Sequence, residues 1–196
     1  KDLFRLVSMA HIDYLSDIPK IPRSEIMKYR ENFLIGSACA NGEVFDTALT
    51  RTEDILLSKM SFYDYIEIQP LDNYVYLVNE EQVDSLDDVK KYVLDIISAA
   101  RKLNKLICAT GDAHYLNPED KIYRDVYIMA KGIGGVRHPL NPFRRDRSAP
   151  YENPNQHFRS TDEMLEQFNF LPKEEAIEYV ITNTNKIADM CEELRP

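Results

Sequence analysis

The sequence predicts an α/β fold in which parallel strands are covered by helices and followed by a small helical tail. The first indication is a set of short apolar runs without polar alternation, as at 33–39 and 105–110, which is typical of strands buried on both faces. The second indication is that stretches with helical apolar spacing separate these runs. Strands that alternate with helices in this way predict a parallel sheet, either as an open layer or as part of an α/β barrel.

The first part of the chain is predicted to hold short helices and one strand. Apolar residues at helical spacing over 3–14 predict the first helix, and a proline-containing turn follows it. Ser24 stands where it can cap a short helix over 25–30. The run 33–39, which closes on small residues and Cys39, is the first predicted buried strand.

Further helices and two more strands are predicted in the centre of the chain. Three-to-four spacing of apolar residues over 44–60 indicates one or two helices, and a strand over 63–69 follows. The clearest helix starts after Ser85, which has Asp88 at the spacing of a capping box and precedes a long apolar stripe. The run 105–110 is the third predicted strand.

The rest of the chain is predicted to be a loop followed by helices, so we divide the sequence into the segments 1–131, 132–158 and 159–196. The middle segment is rich in Gly, Pro and Arg and is predicted to be a long exposed loop; loops of this length are usually functional or disordered. In the last segment, Ser160 and Glu163 have capping-box spacing, and two further helices are predicted after the first.

Composition and charge exclude several classes of protein. With 196 residues, of which 44% are hydrophobic, the chain is long enough to bury a core. Its formal net charge of −9 argues against an autonomous nucleic-acid clamp, because an acidic surface does not attract a phosphate backbone. No apolar run is long enough for a membrane span. The three widely spaced cysteines indicate reduced thiols, so we expect a cytoplasmic protein without membrane partners.

A carboxylate and an imidazole lie two residues apart just after the third predicted strand. Side chains at i and i+2 of an extended segment point to the same face, so Asp112 and His114 can converge on one cation. Cys39 follows another predicted strand, and the carboxyl ends of parallel strands meet at the edge where ligands bind. The alternative is a loop Asp beside a surface His, with a cysteine that is only packed.

The three side chains together offer a thiolate, a carboxylate and an imidazole, which suit zinc, and manganese or iron less selectively. Multinuclear phosphoesterase sites use more histidines than this chain supplies, and His11, His138 and His157 lack acidic or histidine neighbours at ligand spacing. We therefore predict an incomplete site. Glu67, at the end of a predicted strand, either lines the same cleft or pairs with an arginine inside a barrel. No phosphate-binding glycine loop or nucleophile elbow competes with this site.

The predicted loop 132–158 carries the basic patch of the chain, which consists of Arg137, Arg144, Arg145 and Arg147. Two interpretations remain open for it. One is a solvated loop, and the other is a contact with DNA or with a neighbouring domain.

Five motifs resemble, in order, those of one protein family. The segment 109–124 closely resembles the last metal motif of the PHP (polymerase and histidinol phosphatase) domain of bacterial replicative DNA polymerases. The segments 21–24 and 35–39 match as well. With 158–165 and 183–188 they make the resemblance specific to the PolC-type alpha subunit of DNA polymerase III, over nearly the whole chain. The arginine-rich loop departs from the usual connection of the family in its length and composition.

The resemblance implies a fold, a metal site and the function of a parent protein. The fold would be the second half of a distorted (β/α)7 PHP barrel, because the early histidine motifs, the proofreading exonuclease insert and the polymerase palm do not occur in this sequence. Cys39, Asp112 and His114 would be the final three of up to nine metal ligands. Zinc or manganese would bind there, and magnesium would serve the parent polymerase. The partners would be DNA, deoxynucleotides, replisome subunits and the remaining polymerase domains.

Two functions are compatible with these features. The preferred hypothesis is a metal-site and structural segment of a replicative DNA polymerase, a nucleotidyltransferase, which carries no polymerase residues and is inactive alone. The alternative is a metal-dependent phosphoesterase or 3′-5′ exonuclease of the PHP class, in which bound metals activate a water molecule.

Overall fold

The structure, a computed structural model, describes residues 1–130, 132, 135, 138, 140–141 and 152–193. The chain divides into two compact units, which are Lys1–Ile35 with Cys191–Pro196, and Gly36–Met190. The described residues form a mixed α/β fold that is mostly helical and contains a parallel sheet, which confirms the predicted α/β class. No helix in this part of the chain is long and apolar enough to cross a membrane.

The first unit contains the short helices α1 (Asp2–Ile12) and α2 (Arg23–Met27). The prediction that Ser24 caps the second helix is wrong, because Pro22 is the N-cap residue and Ser24 lies inside the first turn. Pro22 is extended, with φ −60° and ψ 140°. Since its ring restricts φ and its nitrogen carries no hydrogen, it is well suited to the position just before a helix.

The predicted strand over 33–39 is wrong. Gly36 forms an isolated parallel bridge with Tyr65, and the chain then turns at Ala38, whose φ is 63°. A residue in this left-handed conformation interrupts an extended segment. A Cβ atom at Gly36 would lie 2.5 Å from the Tyr65 ring, so the backbone meets an aromatic side chain here at a distance that only glycine allows.

The sheet consists of β1 (Tyr65–Ile68) and β2 (Leu106–Ala109), which confirms the two later predicted strands. The strands run parallel, and Ile68 is paired with Ala109, so their carboxyl ends lie side by side. The Thr110 N–H donates a hydrogen bond of 2.9 Å to the Ile68 carbonyl and extends the pairing beyond β2. This edge of the sheet is where the sequence predicts the candidate site.

The helix α6 (Leu86–Lys102) lies between the two strands in sequence and packs against β2. Ser85 caps it as predicted, because its hydroxyl accepts a hydrogen bond of 3.3 Å from the Asp88 N–H. The predicted apolar stripe is confirmed, since the buried residues of the helix are Val89, Val93, Ile96, Ile97, Ala99 and Ala100.

Three more helices complete the core around α6, namely α3 (Glu43–Thr50), α4 (Glu53–Met60) and α5 (Val75–Asn79). Both α3 and α4 pack on α6 and on each other. Phe45 of α3 stacks on Tyr74, with 4.3 Å between the ring centroids. Because Tyr74 is also buried near the carboxyl end of the sheet, this stacking connects the core to the candidate site.

The helices after β2 are α7 (Lys121–Met129), α8 (Thr161–Gln167), α9 (Lys173–Ile177) and α10 (Asn183–Asp189), with a π-helical turn at Glu178–Thr182. The capping box predicted at the start of α8 is confirmed. The Ser160 hydroxyl accepts a hydrogen bond from the Glu163 N–H, and the Glu163 carboxylate accepts one from the Ser160 N–H. The tail of the chain is therefore helical, as predicted.

The predicted loop over 132–158 is not exposed at its carboxyl-terminal end. Asn153, Pro154 and Gln156 are buried, so the expectation of a fully solvated loop is wrong for these residues. Asn153 and Gln156 are held by polar contacts with other parts of the second unit. The arginines proposed for contact with DNA or a neighbouring domain, at positions 137, 144, 145 and 147, lie outside the described residues.

Candidate metal centre

Asp112 and His114 lie just beyond the carboxyl end of β2 and face each other. His114 Nε2 is 3.4 Å from Asp112 Oδ1, and the two side chains are 38% and 33% exposed. Their convergence was predicted from an extended segment, but Asp112 has a φ of 50°. The two side chains therefore meet because the chain turns through a left-handed residue, a conformation that Asp tolerates better than most residues.

A short segment over 152–158, which we call the strap, runs beside this pair. The Gln156 side-chain amide donates a hydrogen bond of 2.8 Å to Asp112 Oδ2. The Gln156 carbonyl accepts one of 2.7 Å from the His114 N–H. One strap residue thus contacts both candidate ligands, through its side chain and through its backbone.

Tyr115 also holds the strap in place. Its hydroxyl accepts a hydrogen bond of 2.9 Å from the Gln156 N–H, and its carbonyl accepts one of 2.8 Å from the Phe158 N–H. Tyr115 also forms an isolated parallel bridge with His157. These contacts keep the strap in a constant position relative to the turn that carries Asp112 and His114.

More distant polar contacts hold the beginning of the strap. The Asn153 amide donates to Asp125 Oδ1 over 2.8 Å, and the Asn155 N–H donates to Asp72 Oδ2 over 2.7 Å. The turn before Asp112 is held as well, because the Asn73 amide donates to the Gly111 carbonyl over 3.2 Å. The candidate site is therefore built on a network that includes α7 and the region just after β1.

Cys39 lies in a tight turn before α3. The Gly42 N–H donates a hydrogen bond of 2.7 Å to the Cys39 carbonyl, which closes this turn. The thiol is partly buried, and Cys39 forms no disulfide. The turn therefore holds Cys39 with a thiol that remains available as a ligand.

Cys39 and Asp112 both raise the pKa of one buried tyrosine, Tyr74. Burial raises the pKa of the Tyr74 hydroxyl above its ordinary value, and the charges of Tyr76, Cys39 and Asp112 raise it further. Burial likewise raises the pKa of Tyr76 to about 12, with Cys39 as the next cause. Cys39 and Asp112 thus both act on one hydroxyl group, although they are far apart in the sequence.

Glu67 lies on β1 at the same edge of the sheet. Thr110 donates a hydrogen bond of 3.2 Å to its carboxylate, and its backbone N–H donates one of 2.9 Å to the Ser37 hydroxyl. Of the two interpretations left open for Glu67, these contacts favour a position at the strand ends, because its carboxylate binds a residue that directly follows β2.

The donor atoms fit a divalent cation in part. Asp112 Oδ1 and His114 Nε2 are close enough to bind one ion together, and both side chains are partly open to solvent. Among the described residues no three His, Cys, Asp or Glu side chains are grouped closely enough to hold a metal. A complete site would need further ligands, in line with the incomplete site predicted from the sequence, and the three-residue ligand set with Cys39 stays a prediction.

The sequence does not predict the strap or its central residue. Gln156 falls in the predicted exposed loop, yet it is only 4% exposed and contacts Asp112 from 44 positions away in the sequence. A contact of His157, whose Nε2 lies 3.8 Å from Glu163 Oε1, is not predicted either. The start of a predicted capping box directly after the strap was the one available signal that the chain is ordered there.

Over its whole length the chain is similar to one class of protein, the PolC-type DNA polymerase III. It is 45% identical over 196 residues to the DNA polymerase III PolC-type of Bacillus subtilis (strain 168). It is 44% identical over 196 residues to that of Halalkalibacterium halodurans and 38% identical over 195 residues to that of Streptococcus thermophilus (strain ATCC BAA-250 / LMG 18311).

The similarity covers nearly all of this chain but a small part of each relative. The matches include 99–100% of the chain, which spans only 13% of the length of these curated relatives. No protein-family model matches the chain. The resemblance to the PolC-type polymerase is thus supported along the full sequence, while its assignment to the PHP region stays a prediction.

Proposed function

We propose that this chain is a segment of a PolC-type DNA polymerase III, which carries out templated DNA synthesis in chromosome replication. The observation that carries the proposal is the similarity of 38–45% identity along the whole chain to 13% of the length of such polymerases. The segment is the second half of the PHP region, a metal-site and structural part of the polymerase. The residues that bind deoxynucleotides and the magnesium ions of synthesis lie elsewhere in the parent protein.

In this proposal Asp112, His114 and Cys39 bind zinc or manganese together with ligands from outside the segment. The ion, when bound, supplies a positive charge that several ligands share and that can also activate a water molecule. Asp112 contributes one carboxylate oxygen, since Gln156 occupies the other. His114 contributes Nε2, which already faces Asp112 at 3.4 Å.

The surface of α7 supports a structural role inside a larger protein. Ile122, Tyr123, Val126 and Tyr127 are 63–73% exposed and lie on one side of the helix. Contiguous exposed apolar side chains usually mark a contact surface. Because the chain spans 13% of its relatives, the partner that we propose for this surface is another segment of the same polymerase polypeptide.

The test is the metal content of the full-length polymerase that contains this chain, measured by mass spectrometry of the purified protein. The variant Cys39→Ser/Asp112→Asn/His114→Gln should lose zinc or manganese that the wild-type protein retains. The variant His11→Gln is the matched control, because it removes an exposed imidazole of the other unit. Equal metal content in the triple variant and the control would contradict the proposed metal site.

The partial exposure of the Asp112 and His114 side chains favours a second function, a metal-dependent phosphoesterase or 3′-5′ exonuclease. An ion bound there would remain reachable by a phosphate group. A nuclease assay on the same full-length protein with added manganese distinguishes the two functions. Activity that disappears in His114→Gln supports the enzyme, and metal binding without such activity supports the structural role.

A further inference from the structure

Gln156 stands apart from the other strap residues because each of its polar groups but one contacts the turn that carries the candidate ligands. Its side-chain amide donates to Asp112 Oδ2, its carbonyl accepts from the His114 N–H, and its N–H donates to the Tyr115 hydroxyl. The residue is only 4% exposed. Water therefore does not compete effectively for these contacts.

The contact with Asp112 decides which oxygen of the carboxylate is available. Oδ2 accepts the Gln156 hydrogen bond at 2.8 Å, and Oδ1 lies 3.4 Å from His114 Nε2. A carboxylate held in this way presents one oxygen in a constant direction. Hydrogen bonds to ligating carboxylates are a common way for a protein to orient metal ligands.

The remaining polar atom of Gln156 indicates that the residue contributes to the candidate site more than to the stability of the fold. Its Oε1 atom is buried and has no hydrogen-bond partner among the described residues. A buried, unpartnered carbonyl oxygen is unfavourable for folding, so an apolar side chain of similar size would be tolerated at least as well. The amide has a clear use only where it meets Asp112.

We propose that Gln156 is a positioning residue that orients Asp112 and His114 toward a shared divalent cation. The inference rests on the proposed metal site and deepens it, because it assigns the geometry of two ligands to a residue that is not itself a ligand. The side chain sets the direction of the Asp112 carboxylate. The backbone carbonyl sets the path of the chain at His114.

The experiment uses the full-length polymerase that contains this chain, with Zn²⁺ and Co²⁺ as the probes. Gln156→Met removes the amide and keeps the size of the side chain. We expect the affinity for Zn²⁺, measured by competition with a chelator, to fall about 10–100-fold. We also expect the visible absorption bands of bound Co²⁺ to change, because the Asp112 carboxylate is no longer held. The thermal unfolding midpoint of the metal-free protein should stay the same.

Two controls separate the possible results. Gln82→Met makes the same change at an exposed position and should leave Zn²⁺ affinity unchanged. Asp112→Asn tests the metal site itself. If Asp112→Asn weakens binding but Gln156→Met binds Zn²⁺ like the wild type, the positioning role is wrong and the metal site stands. If Asp112→Asn also binds normally, the metal site is wrong and the inference falls with it.

A loss of solubility in Gln156→Met would not end the test. Gln156→Ala keeps the backbone contacts of the residue with His114 and Tyr115 and removes the same amide, so it should show the same change in affinity and in the Co²⁺ spectrum. Failure of both variants to fold would overturn the proposal, because it would show that Gln156 serves the fold.

Discussion

The Asn183 side chain donates a hydrogen bond of 3.0 Å to the carbonyl of Ile107 and thereby connects α10 to the middle of β2. Successive residues of a parallel strand direct their backbone groups to opposite sides. Since the Thr110 N–H bonds to β1, the Ile107 carbonyl points to the other edge of β2. Asn183 therefore satisfies a backbone acceptor on a strand edge that would otherwise be open to pairing.

Replacing Asn183 should destabilise the chain. The residue is 1% exposed, so Asn183→Ala leaves the Ile107 carbonyl buried without this partner, at a cost of about 1–3 kcal/mol in the free energy of unfolding. Urea unfolding of the purified chain measures this change in the free energy of unfolding. Asn185→Ala is the matched control, because Asn185 is exposed on the same helix and should change stability by no more than about 0.5 kcal/mol. Equal effects of the two substitutions would refute the buried contact.

Gly42 should not accept a larger residue. A Cβ atom there would lie 2.4 Å from the Ser37 carbonyl oxygen and 3.0 Å from that of Cys39, and backbone atoms cannot rotate away as a side chain can. We expect Gly42→Ala to destabilise the chain by about 1–3 kcal/mol in urea unfolding, as overpacking does elsewhere.

Gly111→Ala is the comparison for this prediction. Among the described residues, a Cβ atom at Gly111 meets only the Met164 sulfur at 3.5 Å, which is an ordinary contact distance. Its effect should be smaller than about 1 kcal/mol. The proposed close packing at Gly42 is incorrect if the two alanine variants unfold at the same urea concentration.

The capping box before α8 should make part of the stability depend on pH. The Ser160 N–H and hydroxyl donate to the Glu163 carboxylate over 2.7 Å and 2.8 Å, which holds the pKa of that carboxyl below its ordinary value of 4.5. The contribution of these hydrogen bonds to the free energy of unfolding is therefore present above pH 4.5. It is lost as the pH falls through the lower pKa that Glu163 has in the folded state.

Ser160→Ala removes the hydroxyl contact and should raise the pKa of Glu163 in an NMR titration. The destabilisation by Ser160→Ala should also shrink as the pH is lowered, because the protonated carboxyl accepts these hydrogen bonds poorly. Glu166→Gln removes an exposed carboxyl of the same helix and serves as the control. A Glu163 pKa that is the same in the wild type and in Ser160→Ala would count against the capping box.

The cysteines should differ in reactivity. Cys108 is buried on β2 with its sulfur 3.5 Å from the Thr184 hydroxyl, and burial raises the pKa of its thiol. Cys191 is exposed. At pH 8 we expect iodoacetamide to modify Cys108 at least about tenfold more slowly than Cys191. The reason is that Cys108 is buried and that burial, by raising the pKa of its thiol, lowers its reactivity further. Mass spectrometry follows the reaction. The difference should vanish in urea, and similar rates in the folded chain would be inconsistent with the burial of Cys108.

Patterns that depend on neighbours in the chain predicted much of this fold. The Ser85 and Ser160 caps join residues three positions apart, and the α6 stripe repeats every three to four positions. The segment 105–110 was recognisable as an apolar run and 63–69 by its strand pattern, and they form β2 and β1. The same kind of run at 33–39 failed, since close approach of the Tyr65 ring at Gly36 and the left-handed Ala38 are properties of the folded chain.

In the candidate site, too, one part was predictable from local sequence and another part depends on tertiary contacts. Asp112 and His114 were predictable as a pair, because two residues of spacing and the end of a strand suffice to suggest a shared cation. That Asp112 turns through a φ of 50°, and that Gln156 holds its second oxygen, depends on contacts between segments 44 residues apart. Local sequence determines which side chains lie at a site, whereas packing between distant segments determines which atoms of those side chains face one another.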